Sequence, residues 1–222
     1  MALGVRLFVS VIGLHLSSLL YVCSCGTLLD PTTPVEVLNR KGPNGEDMHL
    51  VFSDEFNVPS RSFSDGSDPV WTALEKNDYT NAALHYYTAK AATTEDGKLK
   101  IRTRINPKTF KSLNEKTKKY ERETKHYSSA MLQSWNKFCF TGGYVEVRAR
   151  PPGNAYTGGL WPALWMMGNL ARATYVGSSD WMWPWSYDEC EGHPSPSSQM
   201  FNACQKEKHY GMGRGGRGAP EV

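Results

Sequence analysis

The residue best suited to chemistry stands at the end of the chain. GRGAPEV, residues 216–222, passes from a Gly/Arg loop through Pro220 into Glu221 and a β-branched valine, the composition of a strand start. A strand-borne glutamate can serve as nucleophile or proton carrier, but either role needs a partner group within reach. Alone, it is a surface carboxylate.

The other residues with a chemical use are aromatic. The chain holds 7 Trp and 11 Tyr. Such rings fill cores, and exposed in a groove they stack on the apolar faces of sugars. Trp161 and Trp165 lie four apart in GLWPALWMMG, residues 159–168. On a strand, positions i and i+4 share a face, so the two would form one wall of a groove or one layer of core. Trp181, Trp183 and Trp185 fall in a long loop, where binding residues concentrate, although so aromatic a loop can also pack as a lid. Asn136, in the SWNK turn, carries an amide that can bond sugar hydroxyls or close its own turn.

The elements that must position these residues read as strands. Residues 49–56 interleave apolar and polar side chains. In 98–105, Leu99, Ile101, Thr103 and Ile105 alternate with Lys98, Lys100, Arg102 and Arg104, one wet face and one dry. Asp96-Gly97 before it is a hairpin-turn signal. In 144–150, Val145, Val147 and Ala149 oppose Tyr144, Glu146, Arg148 and Arg150. The run 159–168 suits a strand buried on both faces or one whose second face is an aromatic groove, and its period also allows a short buried helix. Residues 108–126 are dense in charge of both signs and read as a solvated excursion, with a helix allowed at 113–122 and an anionic-partner patch as the sharper alternative. Many short strands between Gly/Pro turns indicate an all-β sandwich.

The N-terminus carries one charge, Arg6, and then an apolar run whose strongest part ends near Val22. Residues 1–25 have the layout of a signal peptide, with an uncleaved membrane anchor as the alternative. Either reading places the rest in the secretory pathway, outside the cytosol, at the membrane or in the cell wall. Residues 26–47 read as a linker rich in Pro, Gly and polar groups, and 48–222 as the globular part. An extracellular setting permits disulfides. Cys190 and Cys204 flank a Pro/Ser-rich loop and are the expected pair, and Cys139, between Phe138 and Phe140, reads as a buried free thiol; the other pairings stay open, since sequence does not fix connectivity. A net charge of +3 is too mild to argue for nucleic acid. The histidines lack metal-ligand spacing, and no phosphate-binding glycine motif follows a strand.

LVFSDEFN at 50–57, SAMLQSWNKFCFTGGYVEVRARPPG at 129–153, GLWPALWMMGNLAR at 159–172, WPWSYDEC at 183–190 and the closing GRGAPEV occur in the order found in glycoside hydrolase family 16. From Met48 to the last residue the chain resembles that family, in the branch of the fungal β-1,6-glucan-synthesis-associated proteins. The resemblance implies a jelly-roll β-sandwich around a β-glucan cleft, no cofactor, and a retaining glycosidase motif E-[ILV]-D-x-(x)-E. Glu221-Val222 matches its first two positions, which assigns Glu221 as nucleophile. The motif's aspartate and acid/base glutamate would fall past Val222, so the sandwich is expected to be incomplete here and this chain inactive by itself. Retaining hydrolysis uses two carboxyls about 5–5.5 Å apart, one ionised and one protonated. The function expected is hydrolysis or transglycosylation of β-glucan during cell-wall assembly or remodelling. The alternative is a glucan-binding scaffold without chemistry, since fold does not guarantee activity. Asp54 and Glu55, in the opening strand, are expected to make structural hydrogen bonds.

Overall fold

The computed structural model describes residues 5–9, 28–79, 81–114, 116–154, 156, 158–168 and 172–174. Among them the regular structure is β, apart from two single 3-10 turns at Val35–Val37 and Ala89–Ala91. The strands are β1 (Val5–Val9), β2 (Asn39–Lys41), β3 (Asp47–Asp54), β4 (Thr72–Ala73), β5 (Lys76–Asn77), β6 (His85–Tyr87), β7 (Ala92–Thr94), β8 (Leu99–Ile101), β9 (Arg104–Asn114), β10 (Lys119–Ser129), β11 (Leu132–Gln133) and β12 (Tyr144–Val147). They assemble in the orders β12-β1-β3-β2, β5-β6-β10-β9, β11-β4 and β7-β8. Among the described residues the fold is all-β, of the jelly-roll β-sandwich class.

Two compact units share these strands. The first takes the described residues up to Glu75, Tyr87–Asn106 and Ser128–Leu160; the second takes Lys76–Tyr86, Pro107–Tyr127 and the residues from Trp161 on. In the first unit, β3 alternates as its sequence demands: Met48, Leu50 and Phe52 are buried and Asp47 and His49 exposed. Phe56 and Phe63 anchor one core cluster with Ala73, Ala91, Ala92 and Ala130. Each such phenylalanine contributes about 1.5–3 kcal/mol by leaving water. Phe8, Met48 and Leu50 form a second cluster. An aromatic chain links Phe56, Trp71, Phe52, Phe138 and Phe140, with ring centroids 4.7–6.3 Å apart. In the second unit, Phe110 of β9 packs on Tyr86 of β6.

The folded chain adds to or changes several of these expectations. Val5–Val9, inside the stretch read as a targeting leader, is the strand between β3 and β12, with Leu7 opposite both Phe52 and Val145. Leu7 and Phe8 are buried. Cleavage near Cys25 would remove this strand and open the facing edges of its two neighbours. Secondly, part of the linker 26–47 joins the sheet. Arg40 of β2 pairs with Met48, and Leu28 bridges Phe52 in parallel.

The alternating stretch 98–105 is two strands rather than one. The Asp96-Gly97 turn forms as read: both residues have positive φ (52° and 63°), and Glu95 and Lys98 exchange backbone bonds. β8 then pairs only as far as Ile101 with Ala92. The next amide, from Arg102, bonds Ala91 inside a 3-10 turn, so the partner strand has run out. Of the apolar face, Leu99 is half-buried while Ile101 and Ile105 are exposed. Finally, 108–126 lies inside a long hairpin of two 11-residue strands, β9 and β10, which together span 104–129, and no helix occupies 113–122. The Asn114 side chain accepts the amides of Lys116 and Thr117, closing a turn where a helix would have to continue. Cys139, expected to be buried, is exposed, because the 138–140 segment is irregular and Phe140 is itself exposed; Cys190 and Cys204 lie outside the described residues.

Candidate functional site

Glu221, Trp181 and Trp183 lie outside the described residues. Of the sequence-derived candidates, Trp161, Trp165 and Asn136 can be placed. The run 159–168 is neither a strand nor a helix: it is irregular, with a single bridge at Trp165. It is also uncovered rather than buried. Trp161 is 76% exposed, and Leu160 and Leu164 are exposed beside it, while Trp165 is half-buried. Pro162 interrupts the run and removes an amide that a ladder would use. An exposed indole ring can serve as a platform for an apolar face.

Asn136 sits at the tip of the 134–138 turn with φ of 59°, a backbone region asparagine tolerates. The amides of Lys137 and Phe138 both bond the Ser134 carbonyl, and the Ser134 hydroxyl bonds the Phe138 carbonyl. The turn is therefore closed by Ser134, and the Asn136 side chain is exposed. Asn136 belongs to the first unit and the tryptophan pair to the second.

A polar cleft of about 330 Å³ went unnoticed in the sequence. Thr88, Lys90, Ala91, Arg104, Ile105, Asn106 and Ser128 line it. Asn106 Nδ2 donates to Ser128 Oγ at 3.3 Å, which ties β9 to β10 in the lining. Two cations and several hydroxyl and amide groups can bond hydroxyl or anionic oxygen. No carboxylate lines the cleft, so it offers binding without acid–base chemistry. Its only trace in the sequence was Arg104, already assigned to a wet face.

The acids of the opening strand are committed elsewhere. Arg61 donates to Asp54 Oδ1 at 2.8 Å and to Asp68 Oδ2 at 2.8 and 3.0 Å, and Trp71 Nε1 donates to Asp54 Oδ2 at 2.8 Å. The side chains of Asp54 and Asp68 are 4% and 3% exposed. Burial acts against the Arg61 charge, but bonds from these two carboxylates hold its pKa above the ordinary arginine value. Glu55 accepts Arg6 at 2.9 and 3.0 Å and the Thr33 hydroxyl at 3.2 Å. Asp30 accepts the amides of Thr32 and Glu55. Burial alone would raise the Asp30 carboxyl; bonds from the Thr32 hydroxyl and these amides outweigh it and bring it below the usual aspartate range. These groups join the end of β3 to the residues on both sides of it, and Asp30, Asp54, Glu55 and Asp68 are all engaged in that network. Among the described residues no cluster of His, Cys, Asp or Glu could hold a metal ion.

Fold and motifs together define a β-sandwich protein related to glycoside hydrolases. The model of the beta-glucan synthesis-associated protein SKN1/KRE6/Sbg1 family matches residues 12–222, and the chain belongs to that family. It is 37% identical over 209 residues to the beta-glucan synthesis-associated protein KRE6 of Saccharomyces cerevisiae, covering 88% of this chain and 27% of that protein. Against SKN1 of the same yeast it is 36% identical over 209 residues, covering 88% and 25%. The chain thus spans about a quarter of the length of these curated relatives. A beta-glucanase of Rhodothermus marinus is 34% identical over 151 residues, 64% of this chain and 41% of that enzyme. No solved structure matches the chain.

Proposed function

We propose that the protein acts on β-glucan in the secretory pathway or cell wall, as a retaining glycosidase or transglycosylase that assembles or remodels the polymer. What carries the reading is the family match over residues 12–222, joined to the likeness to a beta-glucanase. Glu221 is the nucleophile: its carboxylate attacks the anomeric carbon, displaces the leaving sugar oxygen and forms a glycosyl ester. The motif's second glutamate, carried by a version of the chain that continues the E-V-D pattern, protonates that oxygen and then activates the acceptor. The acceptor is water or another glucan. Trp161 offers a stacking platform and Asn136 an amide, with Trp165, Trp181 and Trp183 as further contacts.

A scaffold that binds glucan without chemistry is the second reading. The exposure of Trp161 and the absence of a carboxylate from the polar cleft favour it. Turnover of a β-1,3-glucan by a form of the protein carrying the second glutamate separates the two. Loss of turnover in Glu221→Gln with glucan binding retained supports the enzyme. Equal rates before and after substitution refute the nucleophile, and binding without any turnover leaves the scaffold. Cell fractionation tests the location: the reading expects the protein with membranes or wall, and recovery in the cytosol refutes that part.

A further inference from the structure

Positive charge is concentrated in one element. Residues 104–129 hold eight Lys and Arg against three Glu, while the whole chain carries only +3, so the remainder is net acidic. This stretch is the β9–β10 hairpin, and its two faces differ. On one, Phe110 packs on Tyr86 at 5.1 Å and Lys108 lies over the same ring. Ser112 donates to Glu123 and Asn114 to Glu121, drawing both acids to that side. On the other lie Thr109, Lys111 and Leu113 of β9 with Tyr120, Arg122 and Thr124 of β10, by the two-residue alternation of strands. The Thr109 and Thr124 hydroxyls, 2.9 Å apart, fix the two sets to one face.

All six are exposed, Tyr120 at 74% and Leu113 at 42%. Among the described residues Lys111 and Arg122 make no ion pair, because Glu121 and Glu123 are held on the far side. We propose that this face docks on an anionic phospholipid surface. Cations complement the headgroup charge, and the Tyr120 ring and Leu113 methyls enter the boundary between headgroup and acyl chain. A soluble polyanion would reward the cations and leave Leu113 and Tyr120 in water. A second copy would bring like charges together. The contact is peripheral and needs no spanning helix; among the described residues none is long and apolar enough to cross a membrane.

Vesicle co-sedimentation of the chain tests the proposal, using phosphatidylcholine alone and phosphatidylcholine with phosphatidylserine, with immobilised heparin as the polyanion control. The expected result is binding to the serine-containing vesicles only, weakened by salt. A Lys111→Glu/Arg122→Glu variant should bind those vesicles more than about tenfold more weakly. Leu113→Ser/Tyr120→Ser should lose vesicle binding severalfold while keeping its heparin affinity. All four side chains are exposed, so an unchanged melting temperature certifies the fold of each variant. Equal binding to both vesicle types, or charge reversal without effect, overturns the proposal. Vesicle binding that ignores Leu113 and Tyr120 and follows heparin affinity overturns it in favour of a soluble polyanion.

Discussion

Arg61 shows how single side chains hold the first unit together. Its fork binds two buried carboxylates, and removing it leaves both charged with no cation beside them, held only by neutral N–H donors. Arg61→Ala should therefore lower stability by about 3–5 kcal/mol, read from the urea midpoint; a loss typical of a surface pair, below about 1 kcal/mol, would contradict that role. Asp30 makes a pH prediction. Its folded carboxyl titrates below the reference value of 3.8, so it stabilises the protein above that pH and the benefit is lost as pH falls through the folded value. Asp30→Asn should reduce stability at neutral pH and flatten the acid-side decline; an unchanged acid slope would be evidence against the network. Trp161 behaves differently, because it is 76% exposed. Trp161→Ala should leave the melting temperature unchanged and weaken glucan binding severalfold, by loss of a stacking face. At this scale the structural use of Asp54 and Glu55 was legible in the sequence. Their partners were not, since Arg61 and Asp68 gather around Asp54 through a loop whose path no periodicity encodes.

β1 and the β9–β10 hairpin are the elements on which sequence and structure part. Both stretches carry a composition with more than one physical solution. An apolar run after a single arginine suits a leader as well as a central strand, and in the folded chain β1 fills the place between β3 and β12. Deleting residues 1–9 should remove Leu7 and Phe8 from their cores and lower the melting temperature sharply, and Leu7→Ala alone should cost about 2–5 kcal/mol. Unchanged stability after deletion would mean that β1 is dispensable, and N-terminal sequencing of the protein isolated from cells then shows whether residues 1–25 are removed. In the hairpin, alternating Thr109, Lys111 and Leu113 opposite Tyr120, Arg122 and Thr124 is a strand pattern masked by charge, and the Asx turn at Asn114 breaks any helix. The Asp96-Gly97 turn was legible because positive φ at two successive residues has few solutions. Gly97→Val should destabilise by more than about 1 kcal/mol, since a Cβ there meets the Asn57 side chain at 2.9 Å on a left-handed backbone; neutrality in thermal melting would rule out that turn geometry.

For the whole molecule, fold class and family were readable because long motifs occur in order and strand alternation is local. The polar cleft was not, because Thr88, Arg104 and Ser128 come together only when the strands pair. The run 159–168 shows the same limit: apolar composition fixes a preference for cover but not what supplies it, and here Trp161 stays in solvent. The central claim is that Glu221 is a glycosyl-accepting nucleophile in a β-glucan protein. The most direct test is incubation with a 2-deoxy-2-fluoro glucan disaccharide bearing a fluoride leaving group, followed by peptide mass spectrometry. Fluoride departs without acid assistance, so the label reports attack by the nucleophile alone. A glycosyl adduct on the peptide containing Glu221, absent in Glu221→Gln, is the expected result; no adduct, or one on a different carboxylate, would contradict the assignment.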